Sequence, residues 1–291
     1  MNKNAPSKML TRRTFLNTLA VGAAGAALAP YEAILAQEGE AAYAPFRMGM
    51  QSYSLRGYNV DEALARTQQL GLTWWEGFDA HFPITDDPKI LAGYKEKLRA
   101  HGIRMVTYGV VDFGNNEADA RRKFEFARAM EIDTLSASPS PDSFPLLNLL
   151  TKEYKINIGI HNHGPGDALY DTIPKVWAAL QGQNPRIGAC VDTGHYLRSD
   201  QDPVAAVRKF GRRVYGVHLK DVKTGPNGEK QFTEIGKGTL DTVGLLRALK
   251  ASHYSSRGIV SLEYEEHADD PMPYIQECLV ATRAAIQKLR G

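Results

Sequence analysis

From Phe46 onward the chain alternates short apolar runs with longer amphipathic ones. Runs over 47–53, 73–78, 104–111, 134–138, 156–161, 187–191, 214–219 and 259–264 have the length and β-former content of strands. The stretches between them gather their apolar residues on one helical face. That spacing predicts helices over 60–70, 88–101, 117–130, 144–154, 173–180, 203–210, 240–252 and 271–289. Local punctuation agrees. Gly71 and Gly102 stand where a C-cap glycine closes a helix, and Asp202-Pro203 supplies an N-cap and a first-turn proline. Eight strand–helix units in succession predict an α/β chain, a single (β/α)8 TIM barrel. An open doubly wound sheet is the competing architecture. It would normally carry a glycine-rich phosphate turn after its first strand, and Gln51-Ser52-Tyr53-Ser54-Leu55-Arg56-Gly57 is not one. The long polar insertion over 223–232, after strand seven, is a candidate active-site loop.

The first residues follow another logic. Thr11-Arg12-Arg13-Thr14-Phe15-Leu16 is a twin-arginine pattern, followed by a small-residue apolar run over 19–29. That run is too short and too rich in Gly and Ala for a stable membrane span. Residues 1–36 are therefore expected to be a Tat export signal cut after Ala36, with 37–45 a flexible linker and 46–291 the barrel. The expected location is periplasmic or otherwise exported, where phosphorylated sugars are scarce. Charge excludes one class of partner. Lys+Arg number 35 against 33 Asp+Glu, without the basic surplus of a nucleic-acid binder. Cys190 and Cys278 match no zinc-knuckle or redox spacing and are expected to be buried free thiols.

The candidate chemistry is positional. His161, Asp192, His218 and Glu263 fall at the C-terminal ends of four successive predicted strands. Barrel enzymes build their sites at that end, and neighbouring strands lie about 4.8 Å apart, so the four side chains can converge on one ion. Two imidazoles and two carboxylates suit Mn, Co, Zn, Fe or Ni better than Mg or Ca.

Val191-Asp192-Thr193-Gly194-His195, Val217-His218-Leu219-Lys220-Asp221 and Ser261-Leu262-Glu263-Tyr264-Glu265 together resemble the xylose isomerase-like barrel superfamily, the sugar phosphate isomerase/epimerase or AP endonuclease family 2 group. Gln51-Ser52-Tyr53-Ser54-Leu55-Arg56 and Ile235-Gly236-Lys237-Gly238-Thr239-Leu240-Asp241 resemble it as well, in the same order. The resemblance implies a metal held by Glu, Asp, His and Glu after strands five to eight. Asp192, His218 and Glu263 match the last three. His161 stands where the pattern has Glu, which removes one of the two acid/base glutamates of the family's ketose epimerases.

The expected activity is that of a metal-dependent isomerase or epimerase acting through an enediolate on a free sugar. Glu263 is the first candidate base and His161 the second. An alternative keeps the site and eliminates a leaving group, giving a lyase, hydrolase or dehydratase of oxidised (3-keto) glycosides. A non-catalytic carbohydrate-binding barrel is a further alternative. The expected partner is a small carbohydrate, with no nucleic acid and no stable membrane span; a homo-oligomer stays open, since many such barrels pair through their outer helices. Expected substrate contacts are His195 and Lys220 at the mouth, His163 two residues beyond His161, Glu76 and His81 after strand two, and Tyr53 after strand one. The resemblance also implies that the Asn162-His163 pair lines the pocket.

Overall fold

The computed structural model describes residues 39–290; the export pattern and part of the linker lie outside them. The strands are β1 (Arg47–Gln51), β2 (Trp74–Gly77), β3 (Arg104–Phe113), β4 (Thr134–Pro139), β5 (Asn157–His161), β6 (Ile187–Asp192), β7 (Val214–Leu219), β8 (Asp221–Thr224), β9 (Lys230–Thr233) and β10 (Ile259–Leu262). The helices are α1 (Val60–Gln69), α2 (Pro88–Ala100), α3 (Glu117–Ala129), α4 (Phe144–Tyr154), α5 (Ile173–Leu180), α6 (Thr193–Arg198), α7 (Pro203–Phe210), α8 (Thr242–Ala251) and α9 (Met272–Lys288). Eight of the strands close in the order β1-β10-β7-β6-β5-β4-β3-β2, and each ladder between them is parallel.

The expected barrel is therefore present. Helices cover its outside, so strands such as β2, β6 and β10 are buried along their whole length. Helix starts follow the sequence signals. Asn59 and Glu62 form a capping box on α1, and Asp87 and Asp202 accept first-turn N–H groups of α2 and α7 ahead of a proline. Cys190 and Cys278 are free and buried. Among the described residues no helix is long and apolar enough to cross a membrane.

Two elements after β6 and β7 differ from the expected pattern. The Asp192-Thr193-Gly194-His195 run opens a short helix that the periodicity did not predict, α6, capped by Asp192 itself. The insertion over 223–232 is not irregular but folds into the antiparallel β8–β9 hairpin. Its base is organised by Asp221. That carboxylate accepts from the backbone N–H groups of Val222 (2.8 Å), Gly236 (2.9 Å), Gly238 (3.1 Å) and Leu240 (2.9 Å). A Cβ at Gly238 would lie 2.3 Å from Asp221 Oδ1, so only glycine lets this backbone wrap the carboxylate.

Inside the barrel, strand alternation puts Glu76, Ser136, Cys190 and Ser261 in one interior layer, each fully buried. They come from alternate strands, the stacking rule of such barrels. This layer is polar, which a barrel core ordinarily is not. It forms the floor of the site above it.

Candidate metal centre

The four strand-end residues do converge. Ligand-capable atoms of His161, Asp192, His218 and Glu263 all lie within 4.8 Å of one another, and all four residues are buried. His161 Nε2 stands 3.1 Å from His218 Nδ1 and 3.3 Å from Asp192 Oδ2. His218 Nδ1 stands 2.8 Å from Glu263 Oε2 and 3.7 Å from Asp192 Oδ2. Bonds of about 2.0–2.1 Å to a tetrahedral cation would set its donors about 3.3 Å apart. The observed spacings bracket that value.

Three further observations fit a cation here. Glu263 Oε2 is buried with no hydrogen-bond partner although His218 Nδ1 and Lys220 Nζ are close; neither approach has hydrogen-bond geometry. His218 Nε2 faces Glu76 Oε1 at 2.9 Å, which places the ring proton on Nε2 and aims the Nδ1 lone pair at the cluster. The donor set of two imidazoles and two carboxylates neutralises a divalent charge.

Asp192 and the backbone around it are held by their neighbours, whereas His161 Nδ1 is buried without a hydrogen-bond partner. Asn162 Nδ2 donates to the Asp192 carbonyl (3.0 Å) while Asn162 Oδ1 accepts from the Asp192 N–H (2.8 Å). Asp192 Oδ1 accepts from His195 N at 2.7 Å, leaving Oδ2 for the cluster. Thr193 Oγ1 donates to the Lys220 carbonyl (2.6 Å) and accepts from its N–H (2.8 Å), stapling β6 to β7. A Cβ at Gly194 would meet Lys220 Cβ at 2.6 Å, so the close approach of α6 requires glycine there. In the floor, Ser136 and Ser261 donate to Glu76 at 2.7 and 2.8 Å.

Electrostatics sort the imidazoles. Burial lowers His161 to about 4, against the opposing pull of Asp192. Burial likewise lowers His195 to about 4. Both rings are neutral near pH 7, as a ligand or a hydrogen-bonding wall requires. For His218, burial is overcome by Cys190, Glu76 and Glu263, which raise it well above the ordinary imidazole range; a cation bound at Nδ1 would take the place of the second ring proton and leave the Nε2 proton facing Glu76. Burial of Lys220 is overcome by Asp192, Glu263 and Glu265, so it stays charged. Its ammonium lies 2.9 Å from both Asp192 Oδ2 and Glu263 Oε2. Reciprocally, and against their own burial, Lys220 holds Asp192 and Glu263 below the usual carboxylate range.

A cavity of about 350 Å³ opens on this cluster. His161, His163, His195, Lys220 and Glu263 line it together with Tyr53, as the sequence led one to expect. His163 is half-exposed, with Nδ1 3.2 Å from Asp167 Oδ2. Two expected substrate contacts are elsewhere. Glu76 is buried in the floor beneath His218, out of the cavity, because its strand position falls one layer below the mouth. His81 turns away from the cavity: Nε2 meets the Tyr58 carbonyl at 3.1 Å and the ring packs behind Phe78 at 4.7 Å. Asn162 clamps Asp192 rather than lining the pocket; of the pair, only His163 does.

Sequence reasoning missed Asp167, Glu265 and the apolar wall. Glu265 pairs with Lys220 and lines the cavity. Its place two residues after Glu263 was the available signal. Phe78 and Val110 also line the cavity, and Phe232 of the hairpin packs 5.5 Å from His195.

A family model described as the xylose isomerase-like TIM barrel matches residues 64–284. Curated relatives include an inosose dehydratase of Clostridium botulinum (strain Alaska E43 / Type E3), 21% identical over 224 residues, covering 72% of this chain and 74% of the relative. An inosose dehydratase of Clostridium beijerinckii is 25% identical over 230 residues, again covering 72% of this chain and 74% of the relative. Among solved structures, the IOLI protein with a binding zinc atom has a TM-score of 0.69 at 16% identity, covering 84% of this chain and 99% of that one. At that identity the likeness concerns the fold alone.

Proposed function

The chain belongs to the xylose isomerase-like TIM barrel family, and from that premise we propose that it is a metal-dependent lyase of the dehydratase kind. It would remove water or an alcohol by β-elimination from a keto-sugar or keto-cyclitol. The isomerase or epimerase expected first from the sequence is the weaker alternative. One observation carries the choice. Epimerisation needs a base on each face of the substrate carbon, yet only one of the two cavity residues at the family's acid/base positions is a carboxylate, Glu263; the other, His161, turns Nε2 into the cluster, where a cation would take up its lone pair. Elimination needs only one base and one proton donor. Relatives named inosose dehydratase support the same chemistry.

His161, Asp192, His218 and Glu263 would hold the cation, with Glu76 fixing the His218 tautomer. A divalent cation there supplies Lewis-acid polarisation of the substrate carbonyl. Glu263 takes the proton from the carbon beside that carbonyl. The electron pair becomes the new C=C bond, the C–O bond on the next carbon breaks, and the departing oxygen takes a proton from His163. Asp167 orients His163 for that transfer. Lys220 keeps Glu263 ionised and aimed, and His195 closes the wall against water. Export to the periplasm remains part of the proposal, motivated by the twin-arginine run; fractionation of cells expressing the full chain tests it.

The reaction test is direct. Cation-loaded protein is incubated with a keto-inositol and with 3-keto-glucosides, and the products are followed by mass spectrometry and by enone absorbance. Loss of water or alcohol is the expected result. An epimer formed with solvent deuterium, and no elimination product, would overturn the proposal.

A further inference from the structure

The cavity has two unlike walls. Beside the polar cluster stand Tyr53, Phe78 and Val110, contributed by the segments that follow β1 and β2 and by β3. Among the described residues five large apolar side chains are exposed, and two of them, Tyr53 at 37% and Val110 at 39%, line this one cavity. A lone exposed apolar side chain needs no explanation, but a contiguous group at the mouth of a polar site does. A sugar ring can rest only its C–H face on such a wall, whereas an aryl ring covers it with apolar surface throughout.

The wall is also built in advance. The Arg56 guanidinium covers the Tyr53 ring at 4.5 Å, and Phe78 meets that ring edge-on at 5.5 Å. Gln51, itself buried, ties the two sides together: Oε1 accepts from Tyr53 N at 3.0 Å, and Nε2 donates to the Gly109 carbonyl at 3.2 Å. The cavity's 350 Å³ lies within the range of about 300–1,000 Å³ that takes drug-sized ligands.

We infer that the substrate carries a planar apolar substituent, such as an aryl aglycone on the keto-sugar, and that Tyr53, Phe78 and Val110 form the platform that receives it. The inference rests on the keto-sugar reading above for the other end of the substrate. It names a substrate class larger than a free ketose or a bare keto-cyclitol.

Unoxidised glycosides have no carbonyl to react, so they report binding alone. Calorimetry on the cation-loaded full chain compares phenyl β-glucoside, methyl β-glucoside and cellobiose. The phenyl glycoside is expected to bind at least tenfold more tightly than the other two. Tyr53→Ala or Phe78→Ala is expected to cut that preference fivefold or more. Tyr53 is surface-exposed, so its truncation leaves the core in place. Equal affinity for the phenyl and methyl glycosides overturns the inference. So does cellobiose matching the phenyl glycoside, or a preference that survives both substitutions. Its failure is separable from that of the reaction: an aryl preference without elimination product sinks the lyase, and elimination without aryl preference sinks the platform.

Discussion

The two halves of the barrel mouth solve opposite problems. On the side of β5, β6, β7 and β10, carboxylates, imidazoles and one ammonium are gathered almost out of water. On the side of β1–β3, apolar side chains are left in contact with it. Buried charge is costly unless it is paired, and here Lys220 lies against both Asp192 and Glu263 while His218 faces Glu76, so the groups of the first half depend on one another. The apolar half needs no such closure. Its pieces touch through rings and one glutamine, and can be changed one at a time. The difference teaches how each half should respond to change: substitutions on the polar side should be large and non-additive, those on the apolar side small and independent.

The sharpest break comes at the base. Glu263→Gln is expected to lower kcat by about 10²–10⁴-fold, the usual worth of a general base, while the circular-dichroism melt shows a cooperative fold. Wild-type turnover in that variant would remove Glu263 from the role. Next is the floor. Glu76→Gln should weaken cation affinity by about 10–100-fold, because the carboxylate that orients the His218 ring is lost. Competition with a chelator of known affinity measures it, and an unchanged constant would show that the polar layer is scaffolding only.

Asp221→Ala strips a carboxylate that serves four backbone N–H groups. The expected loss in denaturant unfolding is about 1–3 kcal/mol for each buried donor left unpaired. The smallest effect belongs to the apolar half. Gln51→Ala should cost about 0.5–1.5 kcal/mol for each of its two lost hydrogen bonds. Cation affinity should stay at the wild-type value, read by the same chelator competition. A tenfold drop there would mean the two halves are one unit after all.

Much of this was legible in the chain. The 3.6 and 2.0 periodicities are local properties, and they delivered the strand–helix alternation. A strand's C-terminal end is also local, so His161, Asp192, His218 and Glu263 could be read as a group. The misplacements share a cause. Glu76 also stands near the end of a strand, but tilt and stagger put the ends of different strands at different heights in a closed barrel. Its neighbours are Ser136 and Ser261, 60 and 185 residues away in sequence. His81 and Asn162 sit in connections whose direction is set by what packs against them, here Phe78 and the Asp192 backbone.

The amino-acid order by itself thus determined the kind of barrel and which four residues stand at successive strand ends, because both are read from patterns within a few residues. Only the folded molecule decided which of two neighbouring polar groups faces the cavity and which supports it from below. It also decided that three apolar side chains from separate segments meet at one wall. Those outcomes depend on barrel closure, which sets distances between residues that sequence separation does not encode.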